Sequence, residues 1–149
     1  KPVILSTGLA DIIDIDYAIT TLKESGCHDI IVLKCTTAYP APAEEANLRT
    51  IPNLRETFGV QVGLSDHSTG IAVPIAAVSL GAVVVEKHFT LGDKEETVDS
   101  FFSLDPNEFS AMVSSIRIAE QALGGVVYGL TAEAEKTEMV CARYILVNQ

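Results

Sequence analysis

Four times along the chain a short run of aliphatic residues ends abruptly in polar ones. Val3-Ile4-Leu5 gives way to Ser6-Thr7-Gly8, and Ile30-Ile31-Val32-Leu33 to Lys34-Cys35-Thr36-Thr37. Val60-Gln61-Val62-Gly63-Leu64 is followed by Ser65-Asp66-His67, and Val83-Val84-Val85 by Glu86-Lys87-His88-Phe89. Short β-branched runs of this kind predict strands buried on both faces, as in a parallel sheet. Between them the period becomes helical. Ile15, Ala18, Ile19 and Leu22 share one face, with Gly26 placed as the C′ stop. Leu54 and Phe58 follow Pro52 in a second helical pattern closed by Gly59. A third is predicted between Gly70 and Leu80, with Pro74 in its first turn and Gly81 after its end. Asp105-Pro106-Asn107-Glu108 reads as a capping box with proline at the first helical position. Phe109, Met112, Val113, Ile116 and Leu123 then form an apolar stripe that Gly124-Gly125 stops. Further on, Tyr144-Ile145-Leu146-Val147 is a candidate strand.

Four βα units in succession imply an α/β fold, a parallel sheet with right-handed crossovers. Two architectures fit the pattern: a small doubly wound sheet, or half of a (β/α)₈ barrel. A whole barrel needs about 250 residues, and the chain has 149. In both architectures ligands bind at the carboxyl ends of the strands. All four predicted strands turn polar at that end, which points to a site on one rim rather than to four unrelated turns.

His67 and His88 close the third and fourth strands. If those strands are neighbours, the two imidazoles converge, and imidazole with carboxylate and water suits Mn, Fe, Co or Zn. A single histidine there reads better as a hydrogen-bonding strand end; two at matching positions favour the metal. Glu86 and His88 are two apart and share a side, with Lys87 opposite. Asp66 fits equally a support for the histidine beside it or a helix cap. Ser6-Thr7-Gly8 offers hydroxyls near a helix start, as a phosphate or carboxylate site would. Tyr39-Pro40-Ala41-Pro42 is a stiff loop whose tyrosine either meets a ligand or packs. Cys35 reads as a buried apolar filler, and His28, before its strand, as a surface residue on the opposite rim.

Charge narrows the partners. Twenty acidic against ten basic residues leave a net charge of -10, which argues against nucleic acid. No apolar run approaches the roughly eighteen residues of a membrane span, and no leader pattern is visible. Three cysteines without CxxC spacing are expected to be free thiols in a reducing cytoplasm.

Taken in order, KPVILSTG, LKCTTAYPAP, EEANL, GLSDHSTG, GAVVVEKHFTL and VDSFFSLDPNEF resemble the sialic acid (nonulosonic acid) synthase family from residue 1 to about residue 130. The resemblance implies the second half of a (β/α)₈ barrel, strands five to eight, so that residues 1–149 form a partial barrel domain. The family's antifreeze-like C-terminal domain is expected to be absent from them. It also implies a transferase that condenses phosphoenolpyruvate with the open-chain aldehyde of an N-acylated amino sugar and releases phosphate, using Mn²⁺ or a similar divalent ion.

Position by position, His67 and His88 resemble the family's two metal ligands, and Ser6 and Ser65 its contacts to the phosphate of phosphoenolpyruvate. Glu86 matches the acidic residue beside the reacting centre, while Thr37, Tyr39 and Asp99 match sugar-binding positions. Around Asp99 this chain has Glu-Thr-Val-Asp where sialic acid synthases commonly show Gly-Pro-Asp. Lys34 before Cys35, and DSFFSLDPNEF, look more like the pseudaminate branch, whose acceptor is a diacetamido-trideoxy hexose rather than N-acetylmannosamine. In the family the lysines that neutralise phosphoenolpyruvate come from the first barrel half, so little or no activity is expected of this chain alone. Open sheet edges and apolar helix faces favour a homo-oligomer. The competing readings are a metal-dependent aldolase or isomerase on the same barrel and a non-catalytic fragment.

Overall fold

The computed structural model describes residues 1–91 and 97–138; the candidate strand at 144–147 and Cys141 lie outside them. Strands and helices alternate as predicted: β1 (Val3–Ser6), α1 (Ile12–Glu24), β2 (Ile30–Cys35), α2 (Thr50–Phe58), β3 (Gln61–Asp66), α3 (Ala72–Ser79), β4 (Val85–Lys87) and α4 (Pro106–Leu123); α5 (Ala132–Glu138), which the sequence pattern does not predict, follows α4 directly.

Local chemistry sets the helix ends. The Asp11 carboxylate accepts from the N–H groups of Ile13 and Asp14, at 2.8 and 3.0 Å, and the Asp14 carboxylate accepts from the Asp11 N–H. This is a capping box with aspartate in place of the usual glutamate at its fourth position. The predicted box at Asp105 is present, with reciprocal bonds to Glu108 of 2.8 and 3.0 Å. At the other end of α1, Gly26 takes φ 82°. Its N–H reaches Lys23 O and that of Cys27 reaches Leu22 O, the paired bonds of a Schellman stop.

The strands are all parallel and ordered β1-β2-β3-β4. A doubly wound sheet reverses its strand order at a switch point; this sheet does not. Nor do its helices divide between two faces. Ile15 and Ile19 of α1, Ile51 and Leu54 of α2 and Ala77 of α3 share one core with Ile30, Val32, Val62 and Leu64. One face of the sheet is therefore covered by helices, and the other faces inward. These βα units form part of a (β/α)₈ barrel. On the inward face Ile4 is 56% exposed, and Gln61 and Glu86 are exposed as well.

Two predicted details shift. The ladder of β4 runs Val85–Lys87 rather than 83–85, although Val83 N–H already bonds to Val62 O at 2.9 Å. The stripe on α4 is also narrower than its periodicity implies. Met112 and Ile116 are buried against Leu104 and the α3 side chains Ile75 and Val78, whereas Val113 and Leu123 are exposed. The helix rests on α3 at the open edge of the sheet, where only part of the stripe finds a neighbour.

Candidate functional site

Alternation along β3 and β4 sorts four polar residues into two pairs. Register places Ser65 beside Glu86 and Asp66 beside Lys87, and neighbouring residues of a strand face opposite sides. The Ser65 hydroxyl donates to Glu86 Oε1 at 2.7 Å. Lys87 Nζ donates to Asp66 Oδ2 at 2.6 Å, on the helix side of the sheet, with these side chains 1% and 3% exposed. The predicted sidedness of Glu86 and Lys87 is thus observed.

One residue beyond each pair come the histidines. The rings of His67 and His88 stand 5.2 Å apart, centroid to centroid, inclined at 66°. His67 Nδ1 is 3.0 Å from Thr36 O. A carbonyl only accepts, so Nδ1 carries a proton and the neutral form of the ring offers its lone pair at Nε2, the arrangement of a ligating imidazole. Tyr39 packs its ring 4.4 Å from that of His67 while staying 51% exposed. Its loop is tied to the rim by Ala41 N–H donating to His67 O at 2.9 Å. His88 has Phe102 behind it at 4.8 Å, and Asp99 Oδ2 lies 3.8 Å from its Nδ1. Thr37 Oγ1 and His67 Nδ1 each lie 3.9 Å from Cys35 Sγ. A cleft of about 660 Å³ opens beside His88, lined by Thr90, Thr97, Asp99 and Ser103 among others.

The structure thus gathers Ser65, Glu86, His67, His88, Tyr39, Thr37 and Asp99 at one rim. Ser6 lies on the inward side of the edge strand β1, two strands from Ser65. At the nearby start of α1 the Asp11 carboxylate takes the N–H groups of Ile13 and Asp14, which leaves the Ser6-Thr7-Gly8 hydroxyls as what this segment offers a ligand. Thr7 staples β1 to β2, its Oγ1 donating to Leu33 O and accepting from Cys35 N–H, each at 3.1 Å.

Cys35 is half-buried and faces the site, so it is not a core filler. Asp66 caps no helix, since α3 begins at an Ile71 N-cap without side-chain help. His28 is exposed and shares the opposite rim with Asp29 and Gln61, as predicted.

Phe102, 3% exposed, is a site residue that sequence reasoning missed. A phenylalanine in an irregular loop has no period from which to read its partners. Lys34 is a second one. Its Nζ donates to Thr36 Oγ1, the residue whose carbonyl holds His67, and burial lowers its pKa despite the opposing influence of Cys35 and Asp66.

Among the described residues no group of three or more His, Cys, Asp or Glu is arranged to hold a metal. Two convergent imidazoles, one with its tautomer set by a backbone carbonyl, fit a divalent ion as part of an open ligand set.

Residues 1–128 match the NeuB family. The chain belongs to the NeuB family. It is 48% identical over 139 residues to a pseudaminic acid synthase of Campylobacter jejuni, covering 93% of this chain and 40% of that protein. With the N,N'-diacetyllegionaminic acid synthase of Campylobacter jejuni it shares 43% identity over 151 aligned positions, 45% of that protein. In three dimensions it is similar to the N-acetylneuraminic acid synthetase of Leptospira borgpetersenii. That comparison has a TM-score of 0.81 and 31% identity, covering 93% of this chain and 48% of the other. This NeuB chain therefore spans less than half the length of these relatives. The resemblance to the sialic acid synthase family is borne out at the level of the family. No helix among the described residues is long and apolar enough to cross a membrane.

Proposed function

We propose that this NeuB chain carries the metal-binding and acceptor side of a nonulosonic acid synthase site, which condenses phosphoenolpyruvate with an N-acylated amino sugar and releases phosphate. The observation that supports this best is the convergence of His67 and His88 directly above the Ser65–Glu86 pair. His67, through Nε2, and His88 would hold Mn²⁺ or a similar ion. When bound, such an ion supplies Lewis acidity to the acceptor aldehyde.

The remaining work falls to the chain's own side chains. Ser6 on β1 donates its hydroxyl to a phosphate oxygen of phosphoenolpyruvate, and Ser65 on the inward face binds another by turning its one hydroxyl proton from Glu86 to the phosphate. As the methylene carbon of phosphoenolpyruvate attacks the aldehyde, positive charge develops at the enol carbon. The Glu86 carboxylate, on the inward face beside Ser65, stabilises that charge and orients the water that adds there. Collapse of the tetrahedral carbon expels phosphate. Asp99, in the cleft beside His88, binds the acceptor together with Thr37 and Tyr39, and Phe102 backs the His88 ring. The acceptor is a diacetamido-trideoxy hexose, a reading that the DSFFSLDPNEF stretch and the Glu-Thr-Val-Asp context of Asp99 favour over N-acetylmannosamine.

Lys34 and Lys87 are both turned to the helix side, so neither offers a cation to phosphoenolpyruvate on the inward face. The chain alone should therefore bind the trianion poorly and turn over little or not at all. Its open β1 and β4 edges favour self-association.

The test is phosphate release with Mn²⁺, phosphoenolpyruvate and each candidate amino sugar, with His67→Ala as control. Release dependent on one sugar and abolished by His67→Ala identifies the acceptor and shows that a working site assembles. Mn²⁺ binding that needs His67, without release, is the outcome expected for this part of the barrel. Absence of Mn²⁺ binding overturns the metal assignment, and cleavage of a sugar acid without phosphate release moves the reading to an aldolase.

A further inference from the structure

The buried ion pair of Lys87 and Asp66 has no part in the chemistry just described, yet it lies between the two histidines in a specific way. Asp66 immediately precedes His67, and Lys87 immediately precedes His88. Because adjacent strand residues face opposite sides, the pair locks the helix side of the strand ends whose other side carries the imidazoles. We infer that Lys87 and Asp66 are positioning residues that set the separation and aim of His67 and His88.

Three short bonds make the lock. Lys87 Nζ donates to Asp66 Oδ2 and to Ser68 O, both at 2.6 Å, and Ser68 N–H donates to Asp66 Oδ1 at 3.0 Å. The residues on both sides of His67 are therefore held by one ammonium group from β4. The His67 carbonyl and ring are fixed in addition by Ala41 N–H and Thr36 O.

Past β4, Leu104 N–H donates to His88 O and Thr90 N–H to Leu104 O, each at 2.9 Å, but these bonds tie the strand end to the following loop and not to β3. β4 itself is a three-residue edge strand with three register partners on β3, and on the inward side its polar tie is the contact between Ser65 and the exposed Glu86. Burying two charges contributes little net stability, since desolvation offsets the attraction. What such a pair does supply is geometry: charge-assisted bonds this short tolerate little sliding of one strand past the other. A shift of β4 by one residue would separate the pair and turn His88 to the opposite face.

The functional consequence rests on the proposed metal site, but the positioning itself is measurable without metal. In the wild-type chain the His67 and His88 ring protons should show mutual nuclear Overhauser effects, as their 5.2 Å centroid separation requires. The variants are Asp66→Asn, which keeps shape but leaves the ammonium unpaired, and the double change Asp66→Leu with Lys87→Met, which leaves no buried charge. The double variant is expected to fold cooperatively by circular dichroism, to lose the ring–ring effects, and to bind Mn²⁺ at least tenfold more weakly by electron paramagnetic resonance of the free ion.

A folded double variant that keeps the ring contacts overturns the inference. So does a double variant that fails to fold, because the pair would then serve the fold and not the aim of the rings. A folded Asp66→Asn protein with wild-type ring contacts also counts against it. If the wild-type rings are in contact but the chain does not bind Mn²⁺, the metal reading fails while the ring contacts still decide the positioning.

Discussion

Gly63 packs against Val84, the residue that leads into β4, and replacing it with alanine tests how the rim is held. A Cβ built there would lie 2.5 Å from Val84 O, 2.6 Å from Leu33 Cδ2 and 3.0 Å from Val84 Cβ. The first contact falls about 0.9 Å short of ordinary van der Waals distance. Leu33 can relieve its contact by a rotamer change, but Val84 O is backbone and accepts the Leu64 N–H at 2.8 Å. The relief must come from moving β4 outward, which stretches that bond and carries Glu86 and His88 with it. Overpacking of this kind costs roughly 1–3 kcal/mol, and a weakened ladder bond adds about 1. A total of about 3 kcal/mol corresponds to a loss of roughly 6–12 °C in Tm for a domain of this size. Urea denaturation followed by circular dichroism measures it, with Gly59→Ala as the comparison. Gly59 ends α2 at φ 62°, where an added Cβ meets nothing within 4 Å. Its replacement costs only the left-handed backbone penalty, about 1–2 kcal/mol. Gly63→Ala no more destabilised than Gly59→Ala would refute the close approach of Val84, and with it the reason β4 is placed where it is.

Two further outcomes are expected. Burial lowers the pKa of Lys34 from its ordinary 10.5, so between the lowered value and 10.5 the unfolded chain binds more protons than the folded one. Stability of the wild type relative to Lys34→Met should therefore rise with pH through that window, and be least favourable below it; urea titrations from pH 7 to pH 10 that give a flat or falling difference would contradict this. Light scattering should report a mean mass above the 15.9 kDa of one chain, increasing with concentration. A constant monomer mass at high concentration would show that the open edges of β1 and β4 are protected.

Much of this molecule is legible in the order of its residues. Alternating apolar runs and glycine stops mark β1 to β3 and α1 to α3, and the Asp105–Glu108 box marks the start of α4, because caps and face periodicity are local properties of a few consecutive residues. The candidate site was legible for a related reason. Strand ends in a parallel sheet share a rim, so His67 and His88 could be grouped before any contact was known. Glu86 could also be placed opposite Lys87 from the pleat alone.

Other features depended on partners distant in sequence. Local pattern does not distinguish a half-barrel from a doubly wound sheet, since both are repeated βα units. The uninterrupted order β1-β2-β3-β4 and the single layer of helices decide it, and strand order is a long-range choice. The same holds for Asp66, whose two readings stayed open until register placed Lys87 beside it. It holds for Phe102, which no period connects to His88. Periodicity encodes which face a residue takes. Only the pairing of strands determines which residue it meets there, because register is fixed by packing across the whole sheet.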